Sequence, residues 1–130
     1  MDLCNYTDAM VNCQYQFGPN STGKLFEPRD RSTNDQVIEF AKQMILPSTS
    51  KMHIGINDIA TEGTWQYATG GNLDYTNWKY GEPNNGWGNE DCGMTWNSGT
   101  TWNDGICSHE QPSICEMQTT TTTNVISSKK

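Results

Sequence analysis

Apolar positions along the 130 residues change their period from helical to alternating about one third of the way in. Over Asn5–Cys13, Tyr6, Ala9 and Cys13 stand at i, i+3 and i+7, which predicts a short helix with one buried face. Gln14–Pro28 is turn-rich, carrying Gly18-Pro19-Asn20 and Thr22-Gly23. A second helix is expected after Arg29–Ser32. Thr33 can cap it with Gln36 three residues on, the spacing of a capping box. Val37, Phe40, Ala41, Met44 and Ile45 supply its core stripe, and Pro47 stops the pattern. From Lys51 the period is two: Met52, Ile54 and Ile56 alternate as a buried strand, and Gly63–Tyr67 reads as a second strand, closed by Gly70-Gly71. Asn72–Asn89 has little periodicity, and a loop of that length inside a compact domain is usually functional. Cys92–Trp96 and Gly99–Trp102 read as strands flanking a turn at Asn97-Ser98.

Composition narrows the class. The length suits one domain. A hydrophobic content of 33% is low, but five Trp and five Tyr suit a loop-rich fold held by disulfides, and five Cys point to an oxidising, extracellular compartment. Asn5-Tyr6-Thr7 and Asn20-Ser21-Thr22 are N-glycosylation sequons, which marks Asn5 and Asn20 as acceptors. MDLCNYTDAM has no apolar stretch of the signal-peptide kind, so a secreted protein is expected here in its mature form. No run approaches the ~18 apolar residues of a membrane span. A net charge of −7 argues against nucleic acid, which wants a basic face.

The acid is unevenly placed. From Asp58 to Asp104 there are seven carboxylates (Asp58, Glu62, Asp74, Glu82, Glu90, Asp91 and Asp104) against one cation, Lys79. Such a cluster repels itself unless something positive neutralises it. Gly81–Asp104, GEPNNGWGNEDCGMTWNSGTTWND, gathers Glu82, Asn84, Glu90, Asp91, Asn103 and Asp104 with no His and a single Cys. Carboxylate and amide oxygens suit a hard cation such as Ca²⁺, whereas zinc wants imidazole or thiolate. Turns are rich in Asn, Asp and Gly for conformational reasons too, which accounts for each residue singly but not for the set.

Glu82-Pro83-Asn84 and Trp102-Asn103-Asp104, with Glu90-Asp91-Cys92 between them, resemble the EPN and WND signatures of C-type lectin domains in their mannose-type variant. The resemblance extends to Gly55-Ile56-Asn57-Asp58, Glu62-Gly63 and Cys115-Glu116, and covers about Tyr6 to Glu116. It implies an α+β C-type lectin-like domain over residues 1–118, with two helices, two small antiparallel sheets and a long Ca-binding loop region. Pro112–Glu116 becomes the last short strand. The family's usual first strand is missing or short here. Thr119–Thr123, in the Thr-rich tail 119–130, is then a solvated tail, an O-glycosylated stalk or a strand replacing the missing one. The family's bridges correspond to Cys13–Cys115 and Cys92–Cys107. That leaves Cys4 as a capped thiol or an interchain link, with a disulfide-linked homodimer expected; a Cys4–Cys13 hairpin is the competing pairing.

The same resemblance assigns the site. Glu82, Asn84, Glu90, Asn103 and Asp104 would hold one Ca²⁺ and leave positions for two vicinal sugar hydroxyls. Glu82 and Glu90 would then accept from the hydroxyls, and Asn84 and Asn103 would donate to them. The Glu-then-Asn order implies mannose, glucose, GlcNAc or fucose, and the Glu82–Pro83 bond is expected to be cis. Asp58, Glu62, Asn85, Glu90 and Asp91 match an auxiliary calcium set. Asn85 replaces an Asp, which lowers affinity there; as plain turn acids, Asp58 and Glu62 would do neither job. Trp87 either stacks on a sugar face or fills a gap, while Trp65, Trp78, Trp96 and Trp102 are expected in the core. His53 and His109 have no partner suggesting catalysis, and no nucleophile–His–acid set is present, so no enzyme is expected. The function implied is a secreted Ca²⁺-dependent lectin for glycans, recognising microbial surfaces. A non-sugar module of the same fold, for protein contacts or ice binding, is the alternative.

Overall fold

The structure is a computed structural model that describes residues 3–18, 20, 22–44, 51–96, 99–118 and 123–128. Helix α1 spans Tyr6–Tyr15 and buries Tyr6, Ala9 and Cys13, the face that the periodicity predicts. Its N-cap is Asn5, whose Oδ1 accepts from the Asp8 N–H at 2.8 Å.

Helix α2 spans Arg31–Met44 and starts two residues before the expected cap at Thr33. Asp30 caps it instead: its carboxylate accepts from the Thr33 N–H at 2.8 Å and from the Thr33 hydroxyl at 3.2 Å. A carboxylate also complements the positive end of the helix dipole, so Asp30 outcompetes the hydroxyl. Gln36 closes no capping box and bonds Ser32 Oγ at 3.2 Å. The buried face is Asn34, Val37, Ile38 and Ala41, whereas Phe40 and Met44 are exposed. The stripe therefore turns toward Ile38, and its centre is a polar residue. Ile45, Pro47 and the Asn97-Ser98 turn lie outside the described residues.

The strands are β1 (Gly23–Leu25), β2 (His53–Asn57), β3 (Gln66–Tyr67), β4 (Cys92–Thr95), β5 (Trp102–Gly105), β6 (Ser113–Gln118) and β7 (Thr123–Ser128). They form two antiparallel groups, β1–β6–β7 and β3–β2–β4–β5. The groups join through one parallel pairing, His53 with Ser113, which makes a single seven-stranded mixed sheet. As the joining strand, β2 is buried on both faces, so His53 and Gly55 are covered as fully as Ile54 and Ile56. Only Gln66–Tyr67 of the expected Gly63–Tyr67 strand pairs. The strand expected at Gly99–Trp102 instead runs Trp102–Gly105, in register with β4 so that Met94 faces Asn103 and Gly93 faces Asp104. Trp-Asn-Asp is thus held in a sheet.

Cys13–Cys115 fastens α1 to β6, and Cys92–Cys107 ties β4 to the segment after β5. Each closure contributes about 2–4 kcal/mol. Cys4 is in neither disulfide and forms an isolated bridge with Gln111, which ties the start of the described chain to the segment ahead of β6. Among the described residues no helix is long and apolar enough to cross a membrane.

Candidate functional site

An aromatic frame sets the position of β5. Trp102 is fully buried, with Tyr75 and Trp78 edge-on at 5.7 and 5.5 Å, and Trp65 lies edge-on to Trp78 at 4.7 Å. The Trp102 Nε1–H donates to Asn34 Oδ1 at 2.8 Å, and the Asn34 amide donates to the Thr100 carbonyl at 3.1 Å. A buried indole needs such an acceptor, which is why a polar residue sits at the centre of the α2 face. Trp65 and Trp78 are only partly buried against this core. Trp96, expected inside, is half-buried beneath two lysine ammonium groups. The functional reading of the sequence missed Asn34; the one signal for it was a polar residue one helical turn before Val37 and Ile38.

The Trp102 backbone reaches back to the loop. Its N–H donates to the Asn77 carbonyl and its carbonyl accepts from the Lys79 N–H. The Glu82–Pro83 peptide is cis. Asp104 is fully buried, and its two carboxylate oxygens accept from the backbone N–H groups of Asn84 (3.2 Å) and Asn85 (2.6 Å). Glu82 Oε2 accepts from the Asn84 side-chain amide at 3.3 Å. Glu90 Oε1 accepts from the Gly86 N–H at 2.8 Å, and Asn85 Oδ1 accepts from the Glu90 N–H at 3.0 Å. A Cβ on Gly86 would lie 2.8 Å from Glu90 Oε1, so a side chain there would push the Glu90 carboxylate aside. Glu82, Asn84, Glu90 and Asp104 are therefore linked through one loop, with Asn103 on the adjoining strand.

Two oxygens of this set stand apart. Glu82 Oε1 and Asn103 Oδ1 are buried with no hydrogen-bond donor. A buried acceptor without a donor costs about 1–3 kcal/mol, and a cation removes that cost. Burial first, and then the neighbouring Asp104 carboxylate, push the Glu82 carboxyl up to about 7.

The second predicted set is partly gathered. Oxygens of Asp58, Glu62 and Asp91 all lie within 4.8 Å of one another, the one such carboxylate cluster among the described residues. Asp58 Oδ1 and Asp91 Oδ1 are again buried and without donors. Asp58 is anchored by the Gly63 N–H on its Oδ2 at 2.8 Å and by its own N–H on the Asp91 carbonyl at 3.0 Å. Burial raises the Asp58 carboxyl, and Glu62 is pushed up to about 7 by desolvation and by Asp58 and Asp91. Glu90 is not among these carboxylates, and within the loop Glu90 Oε1 and Asn85 Oδ1 accept backbone N–H groups. Both sets offer only oxygen, as a hard cation requires.

Trp87 lies in the 3₁₀ turn Gly86–Gly88, but its side chain is outside the described residues. Tyr80, two residues before Glu82, is 99% exposed and was not singled out in the sequence. Asn20 is exposed, and Asn5 is half-buried at its cap. Of the two histidines, His109 is exposed, while His53 is buried, its Nε2–H donating to the Cys4 carbonyl at 2.7 Å and its Nδ1 accepting from the Gln111 amide at 3.3 Å. Burial lowers its basicity. Its role is structural.

The family model described as "Lectin C-type domain" matches residues 3–117. Collectin-43 of Bos taurus is 36% identical over 115 residues, covering 86% of this chain and 33% of that protein. A mannose-binding protein of Gallus gallus is 46% identical over 94 residues, covering 72% of this chain and 34% of that one. The chain thus spans about a third of the length of these curated relatives. Among solved structures, the C-type lectin CEL-I from Cucumaria echinata superposes with a TM-score of 0.80 at 22% identity, over 89% of this chain and 84% of that one, a likeness of fold alone. The human scavenger receptor C-type lectin carbohydrate-recognition domain superposes at 0.73 with 28% identity, over 88% of this chain and 84% of that one.

Proposed function

The chain belongs to the C-type lectin domain family, and from that premise we propose that it is a calcium-dependent lectin for mannose-, GlcNAc- and fucose-type glycans. It is a binding domain and not an enzyme. The observation that carries the calcium reading is the set of four buried acceptor oxygens without donors: Glu82 Oε1, Asn103 Oδ1, Asp58 Oδ1 and Asp91 Oδ1. A hard cation answers carboxylate and amide oxygens so placed.

Glu82, Asn84, Glu90, Asn103 and Asp104 would hold the primary ion, and Asp58, Glu62 and Asp91, with Asn85 and Glu90 at the margin, the auxiliary one. When bound, calcium supplies a centre at which two sugar hydroxyls can replace water. The chain does the selecting. The carboxylates of Glu82 and Glu90 accept from the hydroxyls, and the amides of Asn84 and Asn103 donate to them, so a sugar must present its vicinal hydroxyls in matching order. Asp104, through its hold on the Asn84 and Asn85 N–H groups, keeps Glu82 and Asn84 aimed before a ligand arrives.

Two hydroxyl contacts bind weakly, and extracellular calcium sites typically have Kd values of about 10⁻⁴–10⁻³ M. Valency supplies the rest: Cys4 links two copies, Asn5 and Asn20 carry glycans, and the secreted dimer engages glycan-coated microbial surfaces with avidity ~10²–10⁴ above one site. Retention on mannose-agarose in calcium and release by EDTA is the expected result. A column that never retains the protein in calcium removes the lectin reading.

A further inference from the structure

The lysines of this acidic chain are not spread evenly. Six cations fall among the described residues: Lys24, Arg29, Arg31, Lys42, Lys51 and Lys79. Lys24 and Arg29 pair with Glu27 or Asp74. Lys42, Lys51 and Lys79 come from three separate parts of the chain and converge on one residue, Trp96. The Lys51 ammonium lies 4.7 Å from the Trp96 ring centroid, and the Lys79 ammonium lies 5.6 Å from it. Lys42 Nζ donates to the Trp96 carbonyl at 3.2 Å and to the Gly99 carbonyl. None of the three has a carboxylate within ion-pair distance among the described residues.

Two ammonium groups on one ring lie within about 10 Å of each other, which is one screening length at ~0.1 M salt, so they repel. Cation–π attraction at such a partly solvated ring returns only about as much as one weak ion pair. Lys42 has spent donors on carbonyls, but its charge adds to the field. The net result is a small positive field with an aromatic floor, on a molecule whose net charge of −7 would otherwise repel anions. The backbone of Lys79 adjoins the candidate site. The Lys79 N–H donates to the Trp102 carbonyl at 2.8 Å, and the Glu82 N–H donates to the Lys79 carbonyl at 2.9 Å. Lys79 is therefore bonded to both segments that carry the sugar-facing residues, Glu82 on one side and Asn103 on the other.

We propose that Lys51 and Lys79, over Trp96, form a subsite for an oxyanion (a phosphate or sulfate ester) on a sugar next to the one held at Glu82 and Asn84. The ligands favoured would be anionic glycans that also expose mannose-type hydroxyls. This extends the lectin reading but does not depend on calcium for its own contacts. Lys51 and Lys79 are no part of the calcium set, so their neutral variants leave the neutral-sugar site in place.

The test uses the full chain, immobilised neutral mannan and immobilised phosphomannan, each in calcium and in EDTA, at low and at physiological salt. In calcium at low salt, the wild type should half-saturate phosphomannan at about tenfold lower concentration than mannan, the worth of two exposed charge pairs. The K51Q/K79Q double variant should lose that preference while binding mannan as before, and salt should erode the preference in the wild type. Failure on mannan in calcium would sink the lectin reading alone, because lysine-dependent capture by phosphomannan in EDTA would still uphold the subsite. Equal binding of the two polysaccharides by the wild type, or a preference that survives the double substitution, overturns it. A sulfated mannan run beside the phosphorylated one tells which ester fits better.

Discussion

Asp58→Asn separates a metal-binding cluster from a merely acidic turn, because the metal reading requires its stabilising effect in EDTA to vanish or reverse in calcium. Asp58 is 2% exposed, and its oxygens lie within 4.8 Å of those of Glu62 and Asp91. Two unit charges 4.8 Å apart repel by about 3.5 kcal/mol at an effective dielectric of 20 and by about 1 kcal/mol in bulk water. Protonation of Glu62, whose carboxyl is pushed up to about 7, relieves some of this. Asparagine keeps the shape, can accept from the Gly63 N–H, and turns a donor toward Asp91. In EDTA the variant should therefore be more stable by about 1–2 kcal/mol, raising Tm by roughly 3–8 °C for a domain of this size. In calcium at about 100 times the wild-type Kd, binding stabilises the wild type by about 2.7 kcal/mol. A variant binding about 30–100-fold more weakly retains under 1 kcal/mol of that. Thermal unfolding of both proteins in EDTA and in calcium is the assay. The calcium-induced rise in Tm should shrink by more than half while the EDTA Tm goes up. An Asp58→Asn protein that melts lower in EDTA and keeps its full calcium response refutes the reasoning.

Proton linkage gives a second check. Without calcium, Glu82 and Glu62 hold their protons up to about 7, against 4.5 for an unperturbed glutamate. The folded chain binds these protons more tightly than the unfolded one, so these groups make stability in EDTA fall as pH rises from about 4.5 to 7. In calcium the protons compete with the ion, so stability and sugar binding should rise over the same window. Tm curves from pH 5 to 8 should diverge as pH rises; parallel curves would contradict the linkage, as would mannose binding undiminished at pH 4. Asn34→Ala leaves the buried Trp102 N–H without its acceptor and opens a void, which should cost about 2–4 kcal/mol by denaturant unfolding and weaken calcium binding with it. A change under 0.5 kcal/mol would remove Asn34 from its positioning role. Cys4→Ser should abolish a dimer band on non-reducing gels and weaken mannan capture about 100-fold or more, with monosaccharide affinity unchanged. Equal mannan capture by both forms would take valency away from Cys4.

Much of the scaffold was legible from residue types. Tyr6, Ala9 and Cys13 marked the buried face of α1 because a helix returns to one side every 3.6 residues. The acid-and-amide composition of Gly81–Asp104 pointed to a hard cation because donor chemistry is a property of the side chain alone. What periodicity misjudged was context. Phe40 and Met44 look like core in an isolated helix, but α2 turns its Asn34 side inward because the Trp102 indole needs a partner there. Trp96 looks like core by its size, yet it became a platform for lysines.

The sequence by itself determined which chemistry is present: oxygen ligands in excess, few cations to answer them, a Glu-Pro between ligand residues, and cysteines enough for two bridges. Only the tertiary structure decided which oxygens remain without donors. Asp104 gives both of its oxygens to loop N–H groups, while Glu82 and Asn103 each keep one buried and unanswered. That distinction depends on the register of β5 against β4 and on the loop folding back over it. Those are contacts between residues far apart in the chain, and no local pattern specifies them.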